Sequence, residues 1–458
     1  MSLTARGPPL VRGFTTTVAR AKKLGVPDKA DKERLRQDQE KRNKERSMMA
    51  REARARGEDW AGDHGYQPVS TRVLVDRKRN PELFIYPPGK DFKAEKERGQ
   101  LAREPPEALN RLKDFSTRNN SVGDAVVFPK SDTNTDPITA FGIPRTISND
   151  FQLLGKRISV VRQSTIDVTA ALDAIALPTN RQSSEKVVVA GSAGCGKSYT
   201  LLQAVWHAAN TGWLVVYLPR TIELITNISD YLYDRRQQVF MQNKASLEII
   251  KCILAGNPDI RKASLGGLVS RMEASLEEPD EPAELLWAVL KAMGQQNKMP
   301  VLFAVDELQA LFSTSLYRDP LFNPIEACHL SIPRILLEFA SGRQEFHKGM
   351  FLGAYSTSNT QFPVPLVLRE AAGIPHEKPE GPYSSRPEHH VTYAKLLKGW
   401  HIPASFSTKE AIGAYELWQT AQAVPQAFTD RTFMNAMAMS NGNPRAFIRD
   451  GLLCAMET

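Results

Sequence analysis

The sequence predicts an α/β fold in which a parallel sheet carries a phosphate-binding loop (P-loop) at its carboxyl edge. Gly-Ser-Ala-Gly-Cys-Gly-Lys-Ser at residues 191–198 follows the apolar run 187–190 and precedes the helical pattern 199–210. Strands that alternate with helices indicate a parallel sheet with right-handed crossovers. Three further short apolar runs, which suit strands buried on both faces, lie at 213–218, 301–305 and 350–355.

The loop at 191–198 has the composition that binding of nucleotide phosphates requires. Its three glycines let the backbone approach phosphate oxygens without a Cβ. Successive N–H groups then form an anion nest at the positive end of the next helix. Lys197 supplies a mobile cation and Ser198 a hydroxyl for Mg²⁺, whereas a glycine-rich turn without a ligand is the alternative. The predicted nucleotide-binding residues are Gly191, Ser192, Ala193, Gly194, Cys195, Gly196, Lys197, Ser198 and Tyr199.

The two carboxylates that follow the run 301–305 are candidates for the metal side of the site. A carboxylate at the carboxyl end of a parallel strand lies at the edge where α/β sheets bind ligands. Asp306 is therefore predicted to bind Mg²⁺ with Ser198, directly or through water, and a strand-ending cap is the alternative. Glu307 is predicted to polarise a water for hydrolysis, although a solvated loop carboxylate explains it equally well.

Two further segments are candidates for contacts to the nucleotide. Ser-Thr-Ser-Asn at 356–359 follows the run 350–355 and is predicted to reach the γ-phosphate, unless it forms an ordinary turn. Arg445 follows Gly-Asn-Pro and precedes a predicted final helix at 446–456. It is predicted to face the nucleotide, with a surface salt bridge or an RNA contact as the alternatives.

The identity of the base is not readable from these motifs. A Ras-like GTPase has Asp-x-x-Gly at the second motif, whereas this chain has Asp-Glu-Leu-Gln at 306–309. The near match to Asn-Lys-x-Asp at 297–300 lacks the aspartate and precedes its strand instead of following one. The sequence therefore argues against the small-GTPase subclass, but not against guanine.

Residues 1–27 have the composition of a mitochondrial transit peptide. They contain five Arg or Lys residues, three consecutive threonines and no Asp or Glu. An unstructured basic tail of a cytosolic protein is the alternative. The tail supplies +5 of the net charge of +8, so the rest of the chain is only mildly basic. The overall charge is therefore not a general signature of nucleic-acid binding.

The rest of the chain divides by composition into four regions. Residues 28–60 are a mixed-charge extension, which suits either a segment that orders on a partner such as a phosphate backbone or a solvated helix. Residues 61–150 are predicted to be a loop-rich region that wraps the main domain. The P-loop nucleotide-binding domain is placed at 151–362, and an irregular linker with a helical C-terminal lid at 363–458.

The spacing of the apolar residues predicts several helices but no membrane span. No run of about 18 apolar residues occurs, so no membrane span is predicted. The stretch 220–295 is predicted to be a helical insertion or part of the outer helix layer. The stretches with helical spacing are 151–179, 220–295, 390–398 and 421–439.

The cysteines and the histidine pair give no sequence signal for a metal or a disulfide. The four cysteines, at 195, 252, 328 and 454, show no Cys-x-x-Cys spacing, which fits a reducing compartment. His389-His390 has no acidic or cysteine partner at ligand spacing along the chain. The sequence therefore argues against a metal site at this pair.

Four segments together resemble one known family. They are the loop 191–198, Trp-Leu-Val-Val-Tyr-Leu-Pro at 213–219, Ala-Val-Asp at 304–306, and Gly-Asn-Pro-Arg at 442–445 with Leu-Leu-Cys behind it. Over roughly residues 145–458, the chain resembles the mitochondrial small-subunit ribosomal protein S29 family, also called death-associated protein 3, in a fungal-type form. The loop is common to a vast superfamily, whereas the segment 213–219 and the C-terminal segment narrow the resemblance to this one family.

The resemblance implies both a fold and a location. The fold is a P-loop NTPase core like those of AAA+ and signal-transduction (STAND) ATPases. The location is the mitochondrial ribosome in the matrix, in the head of the small subunit. The implied partners are small-subunit rRNA and ribosomal proteins, with contacts near the bridges to the large subunit, and neither DNA nor a membrane.

The resemblance also implies cofactors for the site. They are GTP or GDP, with ATP as the alternative, and Mg²⁺. Carried onto this chain, the phosphate loop is 191–198 and the metal-side carboxylate is Asp306. Glu307 departs from the glycine of animal members at the equivalent place, which leaves hydrolysis open.

Two functions of different classes follow. The first is a structural ribosomal protein that holds a guanine nucleotide and hydrolyses it slowly or never. The second is an active mitochondrial AAA+ or STAND-type ATPase that remodels protein or nucleic acid. Glu307 favours the second, whereas the transit-like tail, the charged extension and the lack of an evident pore-loop or DNA-binding motif favour the first.

Overall fold

The computed structural model describes residues 106–115, 120–129, 136–177, 183–374, 381, 383–424 and 429–453. All of them belong to one compact unit, Leu101–Thr458. The predicted transit-like peptide at 1–27 and the charged extension at 28–60 lie outside the described residues, as does most of the predicted loop-rich region. Cys454 lies outside them too.

A small sheet and three helices precede the phosphate loop, after a 3-10 turn at Glu107–Arg111. They are β1 (Lys113–Asp114), β2 (Ala125–Val127), α1 (Pro137–Phe141), α2 (Arg145–Leu154), β3 (Ile158–Val160) and α3 (Gln163–Ala176). The strands pair in the order β1–β2–β3. The Asp136 carboxylate accepts the Ile138 N–H at 3.0 Å and starts α1, whereas Gly155, with φ of +71°, ends α2.

The middle of the chain contains two strands of the main sheet, a hairpin and a helical layer. These elements are β4 (Ser183–Ala190), α4 (Lys197–Asn210), β5 (Leu214–Leu218), β6 (Leu232–Asp234), β7 (Val239–Met241), α5 (Asn243–Gly256), α6 (Leu268–Glu277) and α7 (Pro282–Gln295). Nearly every residue of α4 between Thr200 and Ala208 is buried. This helix is therefore a core element and not an amphipathic surface helix.

The last part of the chain completes the sheet and ends in helices. It contains β8 (Val301–Val305), β9 (Thr314–Arg318), β10 (Pro324–Glu326), α8 (Ser331–Ser341), β11 (Lys348–Ala354), α9 (Leu366–Ala371), α10 (Glu388–Ala394), β12 (Lys398–His401), α11 (Thr408–Thr420), α12 (Asp430–Ser440) and α13 (Pro444–Ala446). A π-helical segment, Phe447–Leu453, follows α13 directly. In the described ranges, no helix has both the length and the apolar character needed to cross a membrane.

Five strands form one parallel sheet in the order β12–β4–β11–β8–β5. Leu352 of β11 lies opposite Val187 of β4 and Ala304 of β8. Because helices cover both faces, β8 is buried along its whole length and reads as a continuous apolar run. The predicted α/β fold with a parallel sheet is confirmed.

A second, smaller core joins the two ends of the described chain. Leu109, Leu154 and Ile158 from the N-terminal part are buried with Trp418 of α11 and Phe447. The helical C-terminal region therefore packs around segments that precede the phosphate loop. The predicted boundary between residues 150 and 151 falls inside α2, whose residues Ile147 and Phe151 pack in the main core and Leu154 in this second one.

Several predicted helices have different limits in the structure. The stretch 151–179 contains the end of α2, the strand β3 and the helix α3, since Gly155 stops the first helix. The stretch 220–295 begins with a 3-10 turn and the β6–β7 hairpin, because the backbone turns at Asn227, where φ is +57°. In the predicted helix 446–456, Ala446 ends α13 and Phe447–Leu453 is π-helical, whereas 454–456 lie outside the described residues.

The C-terminal third differs most from the sequence prediction. The predicted helix 390–398 is α10, which ends at Ala394, and the next residues form the edge strand β12 beside β4. Of the predicted helix 421–439, only residues from Asp430 onward are helical among those described, and they belong to α12. The preceding helix, α11, ends at Thr420, and the backbone turns at Gln422, where φ is +51°. Lys-Gly-Trp-His of β12 has no apolar run, so only its pairing with β4 identifies it as a strand.

Candidate functional site

The phosphate loop connects β4 to α4 at the carboxyl edge of the sheet. Gly194 and Gly196 have φ values of +76° and +98°, a region of backbone conformation that favours glycine. A Cβ on Gly194 would lie 2.6 Å from Asn443 Oδ1 and 2.8 Å from the Cβ of Arg445. The glycine therefore serves both the loop turn and the close approach of the C-terminal helices.

Lys197 lies inside the curve of the loop. Its Nζ donates to the carbonyl oxygens of Gly191 at 2.9 Å and Ser192 at 2.7 Å. The ammonium lies 5.0 Å from the centroid of the Tyr355 ring. Burial lowers the pKa of Lys197, whereas the Cys195 thiol and the Asp306 carboxylate raise it. The cation is thus positioned at the loop by groups that a phosphate can replace as acceptors.

Ser198 and Asp306 come together at the edge of the sheet, as predicted for an Mg²⁺ site. Asp306 follows β8, is 3% exposed, and accepts a hydrogen bond from the Ser198 hydroxyl. Burial raises the pKa of Asp306 to about 6, against the opposing effects of Ser198, the Glu307 N–H and Lys197. A hydroxyl and a carboxylate oxygen are the ligand types that Mg²⁺ prefers, so the residues present fit this ion.

Glu307 lies beside Asp306 with its backbone in the left-handed region, at φ of +58°. Its Oε2 accepts the Ile222 N–H at 3.4 Å. Burial raises the pKa of Glu307 to about 7, with a further rise from Asp306. A carboxyl with a pKa near neutrality is suited to general-base chemistry. The structure therefore keeps both the catalytic interpretation and the structural one open for this residue.

A cavity of about 550 Å³ extends from the loop to the second core. Ala193, Gly194, Gly196, Lys197, Ser198 and Tyr199 line it, together with Asp306 and Glu307. The predicted segment 356–359 and Arg445 line it as well. Among the other predicted residues, Gly191, Ser192 and Cys195 belong to the loop but do not line the cavity. Apolar side chains also line it, most of them from the second core: Ile147, Leu154, Phe406, Leu417, Trp418 and Ile448.

Arg445 and its neighbour Asn443 contact the loop through polar groups. The Arg445 backbone N–H donates to the carbonyl of Gly194 at 3.1 Å. Asn443 Nδ2 donates to the carbonyl of Ala193 at 2.8 Å. The Arg445 residue itself is exposed. The structure thus places the predicted residue at the loop, where its backbone, and not its guanidinium, makes the contact.

Arg162 is the main residue of this site that sequence reasoning missed. Its guanidinium donates to the carbonyl of Cys195 in the loop, and also to those of Pro403 and Ser405. Nε lies 3.3 Å from Oε2 of Glu410, and both side chains are buried. Its partners lie up to 248 positions away along the chain, so no local motif marks it.

Asp150 and Tyr199 form a second contact that the sequence did not reveal. The Tyr199 hydroxyl donates to Oδ2 of Asp150 at 3.0 Å, and both residues line the cavity. Burial raises the pKa of Asp150, although Tyr199, Arg449 and Arg445 lower it. Tyr199 was predicted at the site, whereas the helical spacing around 151 gave the neighbourhood of Asp150 but not its side chain.

The raised pKa of Asp306 predicts opposite pH trends for Mg²⁺ binding and for stability. The folded chain binds the Asp306 proton more tightly than the unfolded chain does, so stability is lost as the pH rises through about 6. Without Mg²⁺, we expect Asp306→Asn to raise the free energy of unfolding by about 3 kcal/mol at pH values above about 6, and by little only below the usual carboxyl pKa of 3.8. Urea denaturation across this range measures the difference.

The same variant should lose Mg²⁺ binding, because the ion requires the deprotonated oxygen. Affinity of the wild type for Mg²⁺ should fall as the pH drops through about 6. Asp319→Asn, at an exposed hairpin position, is the control for the loss of one carboxylate. Equal Mg²⁺ affinity in Asp306→Asn and wild type would contradict the metal assignment.

The sequence that builds this site matches a known protein family. The sequence profile of the family described as mitochondrial ribosomal death-associated protein 3 matches residues 159–450 of the 458. The chain belongs to this family. The matched residues include the phosphate loop, Asp306, the whole parallel sheet and most of the C-terminal helices. Membership in the death-associated protein 3 family makes the chain a protein of the mitochondrial ribosome, in the matrix.

Two individual proteins are similar to this member of the family. The small ribosomal subunit protein mS29 of Neurospora crassa is 24% identical over 318 residues, covering 62% of this chain and 65% of that protein. The chain thus spans 65% of the length of that relative. Among solved structures, the Aeropyrum pernix ORC2 protein, in ADPNP-ADP complexes, is 15% identical over 65% of this chain and 63% of that one. The TM-score is 0.32.

Proposed function

We propose that this chain is a structural protein of the small subunit of the mitochondrial ribosome, in its head, and supports mitochondrial translation. We propose further that it holds GTP or GDP with Mg²⁺ in the cavity beside the phosphate loop. The family membership supports the ribosomal role. The observation that supports the nucleotide is the pairing of Ser198 with Asp306 beside Lys197, at one end of a single cavity.

The two ends of that cavity suit the two ends of a nucleotide. The loop end has the backbone N–H groups of a helix start, one buried ammonium and two oxygen ligands, which suit phosphates and their metal. The lining that comes from the second core has the aromatic rings of Phe406 and Trp418 with aliphatic side chains, which suit a purine base. The choice of guanine over adenine rests on the family resemblance.

The AAA+ or STAND-like form of the fold is part of the same proposal. It is supported by a parallel sheet with the phosphate loop after β4, and by C-terminal helices that reach this loop. Asn443 and Arg445 donate to loop carbonyls from the helical end of the chain. A lid of this kind encloses the ligand from the side opposite the sheet.

Small-subunit rRNA and ribosomal proteins are the proposed partners. An exposed apolar hairpin tip supports a docking role, since the side chains of Leu321 and Phe322 are 79% and 81% exposed. Exposed apolar groups of this size are typical of interaction sites. Contacts near the bridges to the large subunit belong to the same proposal and rest on the resemblance.

One observation favours the alternative, an active ATPase that remodels protein or nucleic acid. Glu307 has a pKa of about 7 and lies beside the metal-side carboxylate. However, its carboxylate accepts the Ile222 N–H, which ties it to the turn after β5. A general base must be free to take a proton from an attacking water, so this contact favours slow hydrolysis or none.

One extraction experiment separates the two functions. The chain is purified natively from mitochondria and denatured, and the released nucleotide and RNA are separated by chromatography. Guanine nucleotide near one equivalent, with small-subunit rRNA, supports the proposal. Adenine nucleotide without rRNA supports the remodelling ATPase. Co-sedimentation with small subunits in high salt adds a second measurement, because a ribosomal protein stays bound whereas a remodelling enzyme washes off.

Glu307→Gln tests hydrolysis directly. We expect nucleotide affinity to change less than about threefold, because the amide keeps the size of the side chain and phosphate binding rests on the loop. We also expect small-subunit assembly and mitochondrial translation to stay unchanged. Nucleotide content after extraction and radiolabelled mitochondrial translation measure both. Loss of translation with nucleotide still bound would move the assignment to the ATPase.

A further inference from the structure

Four side chains with metal-ligating groups, none of which lines the nucleotide cavity, lie close together in the fold. Glu326 ends β10, and Cys328 lies in the 3-10 turn Ala327–His329 that follows it. His389 and His390 lie in the first turn of α10. The histidine pair lacks an acidic or cysteine partner only among its neighbours in the sequence. Folding supplies both an acidic and a cysteine partner from about sixty residues away.

The distances bring the ligand atoms of Glu326, Cys328 and His389 within reach of one ion, with His390 beside Glu326. His389 Nε2 lies 2.8 Å from Oε2 of Glu326, and His390 Nε2 lies 3.8 Å from the same oxygen. The ligand atoms of Glu326, Cys328 and His389 all lie within 4.8 Å of one another. Around a tetrahedral zinc ion, with bonds of about 2.0–2.3 Å, ligand atoms are separated by roughly 3.3–3.7 Å. Side-chain adjustments of about 1 Å reach this geometry.

His390 provides an independent sign of a missing ligand. The residue is 8% exposed, and its Nε2 has no hydrogen-bond partner within the described part of the chain. Its ring packs between Phe312 and His389, with centroids at 5.7 Å and 4.3 Å. A buried imidazole nitrogen without a partner costs about 1–3 kcal/mol. Nε2 points towards Glu326, so a cation at the cluster would satisfy it.

We propose that Glu326, Cys328, His389 and His390 bind one zinc-class divalent cation. One thiolate, two imidazoles and one carboxylate are a ligand set that zinc accepts. Mg²⁺ and Ca²⁺ prefer oxygen ligands alone, so the thiol and the imidazoles exclude them. The site is separate from the nucleotide cavity, because none of the four residues lines that cavity.

A catalytic cysteine–histidine pair is the other chemistry that these residues suggest. It requires a thiol with a pKa lowered by a neighbouring histidine. In the described part of the chain, both imidazoles instead face the Glu326 carboxylate, His389 Nε2 at 2.8 Å and His390 Nε2 at 3.8 Å. The geometry therefore does not pair a histidine with the thiol as its base, and metal binding is the better use of the cluster.

The ion would be structural, because it joins two segments that are distant in sequence. One is the β9–β10 hairpin with its following turn. The other is α10, which follows α9 in the chain after residues 372–387. α10 leads directly into β12, the edge strand beside the phosphate-loop strand β4. Four bonds from one ion would fix where this strand enters the sheet.

Zinc titration of the full-length chain tests the site. The chain is stripped with a chelator and titrated with Zn²⁺ against a chromophoric zinc indicator. We expect one tight equivalent in the wild type, and affinity more than about tenfold weaker in His389→Gln and Cys328→Ser. The His389 side chain is 41% exposed, so its substitution leaves the fold intact. Cys252→Ser and His401→Gln are the controls and should bind zinc like the wild type.

Cobalt(II) in place of zinc reports the sulfur directly. A thiolate-to-cobalt charge-transfer band is expected in the wild type and in Cys252→Ser, and it should be absent in Cys328→Ser. No tight zinc equivalent in the wild type, no charge-transfer band, or unchanged zinc affinity in His389→Gln would each overturn the proposal. Lys197→Ala should retain full zinc binding, because the two sites share no residue.

Discussion

Lys197→Ala is expected to lower the affinity of the chain for guanine nucleotide by about 100-fold. The buried ammonium donates to two loop carbonyls and lies beside Asp306. Phosphate oxygens take these bonds over when a nucleotide binds, and each charge-assisted bond contributes about 1.5–3 kcal/mol. The loss of about 3 kcal/mol corresponds to that change in affinity. Titration with a fluorescent GDP analogue measures it.

A lysine of the same charge away from the loop provides the control for this variant. Lys298 is exposed and precedes β8, at the opposite edge of the sheet. Lys298→Ala should bind nucleotide like the wild type. Circular dichroism establishes that both variants are folded before binding is compared. Equal nucleotide content in Lys197→Ala and the wild type would remove the phosphate loop from the proposed function.

Arg162→Met is expected to lower the free energy of unfolding by about 3–5 kcal/mol. The substitution removes the donors to the loop carbonyl of Cys195 and to the carbonyls of Pro403 and Ser405. It also leaves the Glu410 carboxylate, whose side chain is 5% exposed, without its cationic partner. An uncompensated buried charge accounts for most of that loss. Urea denaturation followed by circular dichroism measures it.

Two comparisons isolate the buried charge as the cause. Arg261 pairs with Glu273 where the side chains are 66% and 43% exposed, so Arg261→Met should cost less than about 1 kcal/mol. The double variant Arg162→Met/Glu410→Gln should be more stable than Arg162→Met alone, because it leaves no unpaired carboxylate. If the double variant is no more stable, the loss comes from packing against Phe406 and not from charge.

The phosphate loop, the sheet and the metal-side carboxylate were predictable from the sequence because each depends on local order. A glycine-rich loop that follows a strand and precedes a helix must lie at the carboxyl edge of a parallel sheet. A carboxylate directly after a buried strand must lie at that same edge. The contact between Ser198 and Asp306 was therefore predictable without knowledge of the rest of the fold.

The parts that were not predictable depend on contacts between distant segments. Arg162 reaches Glu410 and the loop only after the two ends of the described chain pack into the second core. β12 is a strand only because β4 offers it a hydrogen-bonding edge. The Glu326 and Cys328 partners of the histidine pair are hidden for the same reason, since ligand spacing along the chain cannot reveal them.

The two donors from Asn443 and Arg445 to the loop carbonyls have a thermodynamic consequence. They couple the conformation of the loop to the position of the last helices. Binding of a nucleotide at the loop and ordering of these helices therefore stabilise each other through one coupling free energy. Such coupling is reciprocal. A ribosomal surface that holds the C-terminal helices in place would slow release of the nucleotide, and the nucleotide would strengthen attachment to that surface by the same factor. The nucleotide would then exchange readily in the free chain and be retained once the chain is assembled into the small subunit.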